Sequence, residues 1–511
     1  MPLVPLLRPR NAVRILSGSA VLWLAAGGGA SLARSHGALR ARGPATWAGI
    51  GQASAATPSI DSQQSSIVHR QGPAYRLERG GWTFVHLEGS PHQIGYQHGS
   101  LLAPEILDAF AAVKLRTTHD TRHDWEFFRQ AAREMLWPRI DAEYQAELEG
   151  IVAGLKARGA ALDLDDVVAV NAFEELPYYY VPWYDAKHRV ANAPHLVSPG
   201  NCSAFVATGG ATRDRQIVMA HNNWTSYLDG ERWRVIFDIV PLGGYRILMD
   251  GFPGTITSGD DFGINSAGLM VTETTITQFV GWDPAGKPEF MRSRKAMQYA
   301  PSIDEYVRIM LDGNNGGYAN DWLLGDNKTG EIAQFELGLK AHRLWRTRDG
   351  VIVGSNFPRD PEVIAEDTTF DLHDPSSSPN ARRTRWNELV KENSGKIDTE
   401  LAMKFIADHE DAFEGRPDAD ERTLCGHVDR SPRGAKEWEW PAYFPGGAVQ
   451  GKVVSSALAH AMSFYARMGH PCGEDFLAAP FLRAHPEFAW QAPLLRDLKA
   501  GPWTLFKAGE Q

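Results

Sequence analysis

Cys202 is the residue around which chemistry can be built. It stands where the loop Ser198-Pro199-Gly200-Asn201 gives way to a strand-like run, Cys-Ser-Ala-Phe-Val, that leads to Gly209-Gly210. A cysteine that opens a strand can attack the carbonyl in front of it. If the Asn201–Cys202 bond is cut in this way, through a thioester that water hydrolyses, Cys202 gains a free α-amine beside its own thiol. That amine has an unperturbed pKa of about 7.7–8, so near neutrality it can take the thiol proton, and nucleophile and base become one residue. The bland alternative is a buried structural cysteine, the usual role of an unpaired thiol. Cys425 (in TLCGH) and Cys472 (in GHPCG) lie in glycine-containing turns; in an exported chain they could be joined into a bridge, leaving Cys202 free. Three cysteines make neither a disulfide-rich scaffold nor a four-cysteine zinc site. His119-Asp120 and His123-Asp124 repeat at i, i+4, a spacing that would set two imidazoles on one helix face as metal ligands. No supporting ligand motif is recognisable elsewhere, so a polar face or loop is the plainer reading. Tyr178, Tyr179, Tyr180, Trp183 and Tyr184 suit either the wall of an acyl pocket or a loop covering the core.

Those residues need a scaffold, and the chain is long enough for one: 511 residues, 43% hydrophobic and 22% charged, in the range of a large globular protein. The 52 Lys+Arg against 62 Asp+Glu give a net charge of -10, which repels a phosphate backbone and argues against nucleic acid as a partner. GxSxG, HExxH, a Walker A loop and a GxGxxG opening a helix are all absent, so an ordinary serine lipase fits poorly. Arg8, Arg10 and Arg14 precede an apolar stretch broken by Gly27, Gly28 and Gly29 and ending in small residues at Ser31 and Ala33. Residues 1–33 therefore read as a signal peptide or N-terminal anchor, and the protein as exported to a periplasm, a lumen or the exterior. Residues 34–74 read as a flexible linker, with the fold beginning near Tyr75.

Period-two alternation predicts a strand pair over 76–87 and a strand-rich block at 202–208, 216–222, 233–240, 245–250, 262–265 and 268–276. Turn residues at Gly209-Gly210 and Ser266-Ala267-Gly268 punctuate it, and Asn327-Lys328-Thr329-Gly330 separates two further strands at 321–325 and 332–337. Helical spacing predicts helices over 91–115, 125–158, 290–299, 302–312, 381–395, 399–409 and 453–468. Helices, a long antiparallel block and helices again imply sheets covered by helical layers.

Three segments, NCSAFVATGGATRDRQIVMAHNNWTSY (201–227), DGFPGTITSGDDFGINSAGLMVTETTI (250–276) and YANDWLLGD (318–326), together resemble the phospholipase B-like family. Their order is also similar to penicillin acyltransferase-type autoproteolytic hydrolases and to choloylglycine hydrolases, all N-terminal nucleophile enzymes. GSPHQIGYQHGSLLAPEI (89–106) resembles the helical pro-segment of the acyltransferase-type group. The resemblance implies an α+β fold, a four-layer αββα sandwich of two antiparallel sheets. It implies a pro-segment or small chain at 75–201 that stays associated with a catalytic chain at 202–511 after cleavage between Asn201 and Cys202. It assigns the nucleophile to Cys202, an orienting role to His221 and an oxyanion donor to Asn320. Where choloylglycine hydrolases carry an aspartate that contacts the nucleophile, this sequence has Trp224, which puts bile-salt substrates in doubt. Asn222 and Asn223 are candidates for part of that lost polar network, Asp260 and Asp261 for the rest, and Thr274 and Thr275 lie near a further oxyanion donor of the relatives.

The resemblance thus implies a cofactor-free hydrolase for acyl ester or amide bonds, with phospholipid or a related acyl lipid favoured. An amidase or acyltransferase acting on N-acyl compounds, a non-catalytic lipid-binding relative, and metal-dependent hydrolysis at His119 and His123 remain as alternatives.

Overall fold

The computed structural model describes residues 67–197 and 202–510. The expected export signal, most of the expected linker and Asn201 lie outside the described residues. Among the described residues no helix is long and apolar enough to cross a membrane.

The strands that precede Cys202 are β1 (Ile67–Gln71), β2 (Ala74–Arg79) and β3 (Trp82–Gly89). After it come β4 (Cys202–Thr208), β5 (Val218–Ser226), β6 (Val235–Pro241), β7 (Ile247–Gly251), β8 (Gly263–Asn265) and β9 (Leu269–Thr275). Next are β10 (Asn320–Asp326), β11 (Glu331–Leu337), β12 (His342–Thr347) and β13 (Gly350–Gly354). The last third adds the short pair β14 (Glu410–Asp411) and β15 (Arg416–Pro417), then β16 (Gly446–Ser455), β17 (Ser463–Met468) and β18 (Thr504–Lys507). A ten-stranded sheet runs β1-β2-β3-β6-β7-β8-β9-β10-β11-β12, and a six-stranded sheet runs β13-β4-β5-β16-β17-β18. Pairing is antiparallel throughout except between β3 and β6.

Alternation along each strand stacks these sheets. In β4, Ala204 and Val206 join Met219, Ile236, Leu248, Met270 and Leu323 in a core between the two sheets. Phe205 and Ala207 point the other way, against Trp386 and Phe405 of the helices Ser378–Glu392 and Thr399–Phe405. The far face of the large sheet, through Val85, Phe237, Val271 and Leu324, packs on a helical layer that supplies Ile94, Leu148 and Met291. The order helix, sheet, sheet, helix is the αββα sandwich expected from the sequence. Each fully buried Leu, Ile or Val in these layers contributes roughly 1.5–3 kcal/mol of apolar transfer.

Two helices of the first layer meet backbone to backbone. The helix Pro91–Leu101 is opened by a capping box of Ser90 and Gln93 and lies against Ala142–Ala157. Gly95 and Gly99 on one face Gly150 and Gly154 on the other. A Cβ at Gly99 would stand 2.1 Å from the Ile151 carbonyl oxygen, and one at Gly154 would stand 2.3 Å from that of Tyr96.

Several expectations are corrected. The folded body begins at β1, ahead of Tyr75, and the segment before Cys202 is not purely helical, because β1, β2 and β3 form one end of the large sheet. Residues 453–468 are not one helix. They hold the end of β16, a short helix Ser456–His460 and β17. Val453 and Val454 pair with Ala220 and Met219 of β5, so completing the sheet overrides the helical spacing of the run. The expected helix 125–158 breaks at Trp137-Pro138, since proline removes a donor and clashes with the preceding turn. The aromatic run 178–184 is not a loop: it lies in a π turn, Leu176–Tyr180, that continues into the helix Val181–His188.

Candidate active site

Cys202 is the first residue of β4 and is 1% exposed. It pairs across the ladder with Asn223, and Ala204 pairs with His221, so Cys202, Asn223 and His221 share the face that looks toward the large sheet. Its thiol donates to Glu273 Oε1 at 3.4 Å. The same oxygen accepts from Tyr318 Oη at 3.2 Å, while Thr275 Oγ1 donates to Oε2 at 3.4 Å. The backbone N–H of Cys202 donates to Asn356 Oδ1 at 3.2 Å. Asn356 adopts a left-handed φ of 68°, and its Nδ2 donates to the Thr275 carbonyl at 2.9 Å. Arg382 closes the frame: Nη2 donates to Asn356 Oδ1 at 2.8 Å, and Nη1 to the Cys202 carbonyl at 2.7 Å and Ser203 Oγ at 3.0 Å. Its guanidinium lies 4.5 Å over the Trp224 ring.

Burial dominates the proton balance here. It pushes the Cys202 thiol well above its ordinary range, with Glu273 and Asp260 adding to the effect. Burial likewise raises Glu273 well above the usual carboxyl range, helped by Asp261 and Asp260. Arg382 is lowered to about 9, again by burial. His221 falls to about 3 through burial and then Lys452, although Asp260 opposes.

His221 has both ring nitrogens buried without a hydrogen-bond partner. Its Nδ1 lies 3.7 Å from Asp260 Oδ2. Ligand-capable atoms of Cys202, His221 and Glu273 all lie within 4.8 Å of one another. Lys452, opposite His221 on β16, donates to Asp250 at 2.9 Å and also to Asp260, and Ser258 Oγ donates to both carboxylates. Asp260 therefore belongs to the Cys202 neighbourhood. Asp261 does not, since it turns to Ser293 Oγ at 2.5 Å and Trp322 Nε1 at 2.8 Å.

Asn222 also points away, donating from Nδ2 to the carbonyls of Ile406 at 2.6 Å and Leu424 at 2.8 Å in the outer helical layer. Asn223, opposite Cys202, keeps Nδ2 without a partner. Asn320 opens β10 opposite Thr275, fully buried, with both amide atoms unpartnered. Thr274 is buried with its hydroxyl unpartnered, and the hydroxyl lies where a Cβ on Gly354 would meet it at 2.6 Å. Buried polar groups are nearly always hydrogen-bonded, so the unpartnered amides of Asn223 and Asn320 are exceptions to the rule. The sequence missed Glu273, Asn356, Arg382 and Lys452. Only Glu273, inside the quoted ETTI segment, carried any signal.

A cavity of about 550 Å³ opens at the end of β5, and Cys202 is not part of its wall. Thr225 and Ser226 at the end of β5, the aromatic rings of Tyr178, Trp438 and Trp440, and the chain at Leu196 and Val197 form its wall. Glu174 in that wall is pushed up to about 7 by burial, with Arg116 opposing. Tyr180, Trp183 and Tyr184 border a separate hollow of about 350 Å³. His119 and His123 do not converge. The helix ends at Thr121, and Arg122 at φ 62° turns the chain, so His119 bonds Asp120 at 2.8 Å while His123 bonds Asp185 at 2.9 Å. Cys425 and Cys472 are both free thiols and both approach His427.

Residues 109–347, a little under half of the chain, match the family model of Phospholipase B. An uncharacterized protein of Archaeoglobus fulgidus is 26% identical over 267 residues, covering 48% of this chain and 42% of that protein. Putative phospholipase B-like 2 of Rattus norvegicus is 30% identical over 155 residues, 27% of this chain and 26% of its own length. The chain thus spans less than half the length of these relatives. Putative phospholipase B-like 1 of Caenorhabditis elegans is 24% identical over 58% of this chain and 56% of that protein. Among solved structures, a mutant conjugated bile acid hydrolase from Clostridium perfringens aligns with a TM-score of 0.32 and 14% identity, over 52% of this chain and 89% of that one. The sandwich itself rests on the strand order and packing above.

Proposed function

We propose that this chain, similar to phospholipase B over its central half, is a cysteine N-terminal nucleophile hydrolase. It matures by cutting itself between Asn201 and Cys202 and then releases acyl groups from phospholipid or a related acyl lipid. The observation that carries the reading is Cys202 at the head of β4, its N–H fixed by Asn356 and its thiol on Glu273, opposite Asn223 with its unpartnered Nδ2. In maturation Sγ adds to the Asn201 carbonyl and the thiol proton passes to the Cys202 amide nitrogen. The C–N bond breaks, the nitrogen leaves with that proton as the Cys202 α-amine, and water hydrolyses the thioester to a carboxylic acid and free thiol.

In turnover the α-amine takes the thiol proton, Sγ adds to the substrate carbonyl, and the amine returns the proton to the leaving group. The same amine then activates the water that hydrolyses the acyl thioester. Asn320 Nδ2 donates to the developing oxyanion. Asn356 and Arg382 hold the amine, and neutral His221 orients it or the substrate. The cavity at the end of β5 has the size and aromatic walls of an acyl site, with Arg116 and Glu174 at its polar side. Residues 1–33 serve as export signal or anchor, and the two chains stay together after the cut.

The test is release of fatty acid from phosphatidylcholine micelles, with N-acyl amino acids and lactams assayed in parallel. Turnover of phospholipid, abolished in Cys202→Ala and lowered about 10²–10³-fold in kcat by Asn320→Ala, is expected. Faster cleavage of the N-acyl compounds would replace the lipase reading with an amidase. Lipid binding without turnover would make the protein a binding relative.

A further inference from the structure

Among the described residues, a second group of ligand-type side chains converges far in sequence from Cys202. His409, Cys425, His427 and Cys472 place one ligand-capable atom each within 4.8 Å of all the others. His427 Nε2 stands 3.7 Å from Cys425 Sγ and 3.6 Å from Cys472 Sγ. With Zn–S about 2.3 Å and Zn–N about 2.0–2.1 Å, a sulfur and a nitrogen on one tetrahedral zinc are about 3.5–3.6 Å apart. His409 Nε2 is buried without a hydrogen-bond partner, and His470 packs 4.1 Å from the His427 ring, closing the cluster from another side.

The backbone already holds these side chains together. Cys425 N–H donates to the Asp408 carbonyl at 3.0 Å, His427 N–H to that of Asp420 at 3.0 Å, and Asp418 N–H to that of His409 at 2.9 Å. Cys472 sits in the turn after β17, where Gly473 N–H donates to the His470 carbonyl at 2.8 Å.

We propose that His409, Cys425, His427 and Cys472 form a closed Cys₂His₂ site for one structural Zn²⁺. Two thiolates and two imidazoles suit zinc better than a hard oxygen-seeking cation, and four protein ligands leave no position for a reacting water. The site fastens the loop 418–427 to the end of β17. Leu424 in that loop accepts from Asn222 Nδ2 and Trp224 Nε1, and a Cβ on Gly426 would meet the Trp224 ring at 2.1 Å. The metal therefore braces the back of β5, the strand whose front carries His221 and Asn223.

Full-length protein is purified without chelator from zinc-supplemented cells, and its zinc content and non-reducing intact mass are read on one sample. About one zinc per chain that survives dialysis, with the two thiols unlinked, is expected for a closed four-ligand site. Cobalt exchange is expected to give thiolate-to-metal charge-transfer absorption and the visible bands of a tetrahedral ion. Cys425→Ser loses both. Should that variant not fold, zinc released from wild type by a thiol-blocking reagent and read with a metallochromic dye serves instead. A folded protein that stays zinc-free after reconstitution, or a Cys425–Cys472 disulfide in the purified chain, overturns the proposal.

Discussion

Cys202, Glu273 and His221 form one buried cluster in which burial holds the thiol, the carboxyl and the imidazole in their neutral forms. Among the described residues the thiol donates to the Glu273 oxygen at 3.4 Å. In the proposed mechanism that role passes to the α-amine once cleavage creates it. His221, lowered to about 3, carries no charge near neutrality and works as a hydrogen-bonding group rather than a cation. His98 is a parallel case outside the site: its Nε2 accepts from Gly254 N–H at 3.0 Å, and burial followed by Arg294 lowers it to about 3. In the unfolded chain both titrate near the ordinary 6.5, so between pH 6.5 and 3 the unfolded state binds more protons. Their contribution is whole above pH 6.5 and is lost as pH falls toward 3, by up to about 1.4 kcal/mol per pH unit for each histidine. Urea melts between pH 7 and 4 are expected to show His98→Gln losing less stability on acidification than wild type; parallel profiles would contradict this. Cys202 and His221, which the fold brings together, were legible as candidates in the sequence because they sit inside recognisable segments. Asn356 and Arg382 were not, since they stand 154 and 180 residues from Cys202 and only the folded sheets bring them to it.

The strands that carry the site were legible because their alternation is clean and their turns are marked by glycine and asparagine. β9 and β10 fall within a residue or two of their expected limits, and β4 agrees at both ends. β12 escaped notice because it is the polar outer strand of the large sheet, reading HRLWRT with no buried side chain. β16 and β17 were masked by a run whose apolar spacing also fits a helix. The meeting of Pro91–Leu101 with Ala142–Ala157 was invisible for another reason: glycines four apart on one helix have meaning only against glycines on a second. With carbonyl oxygens about where side chains would start, Gly99→Val is expected to destabilise by about 3 kcal/mol, seen as a lower urea midpoint. A Gly99→Val midpoint equal to wild type would show that the helices can separate without cost.

At the scale of the molecule, the residues before Cys202 are not a detachable cover. β3 lies between β2 and β6 in the large sheet, and the helices that follow it share one apolar core with Phe237, Val271 and Leu324. A cut before Cys202 therefore leaves two chains joined by sheet hydrogen bonds and a common core, to be separated only by denaturant. Sheets covered by helical layers were legible from the succession of helices, strand block and helices, and the αββα order from the family resemblance, whereas the place of the 76–87 strand pair beside β6 was not, because a parallel partner 152 residues away leaves no local trace. The central claim is that Cys202 becomes an N-terminus by its own chemistry. It is tested most directly by intact mass and N-terminal sequencing of purified wild type beside Cys202→Ala. The account predicts a wild-type chain that begins at Cys202, co-purifying with the segment that precedes it, and a mutant that stays whole. A wild type that also stays whole after export and prolonged incubation would contradict it.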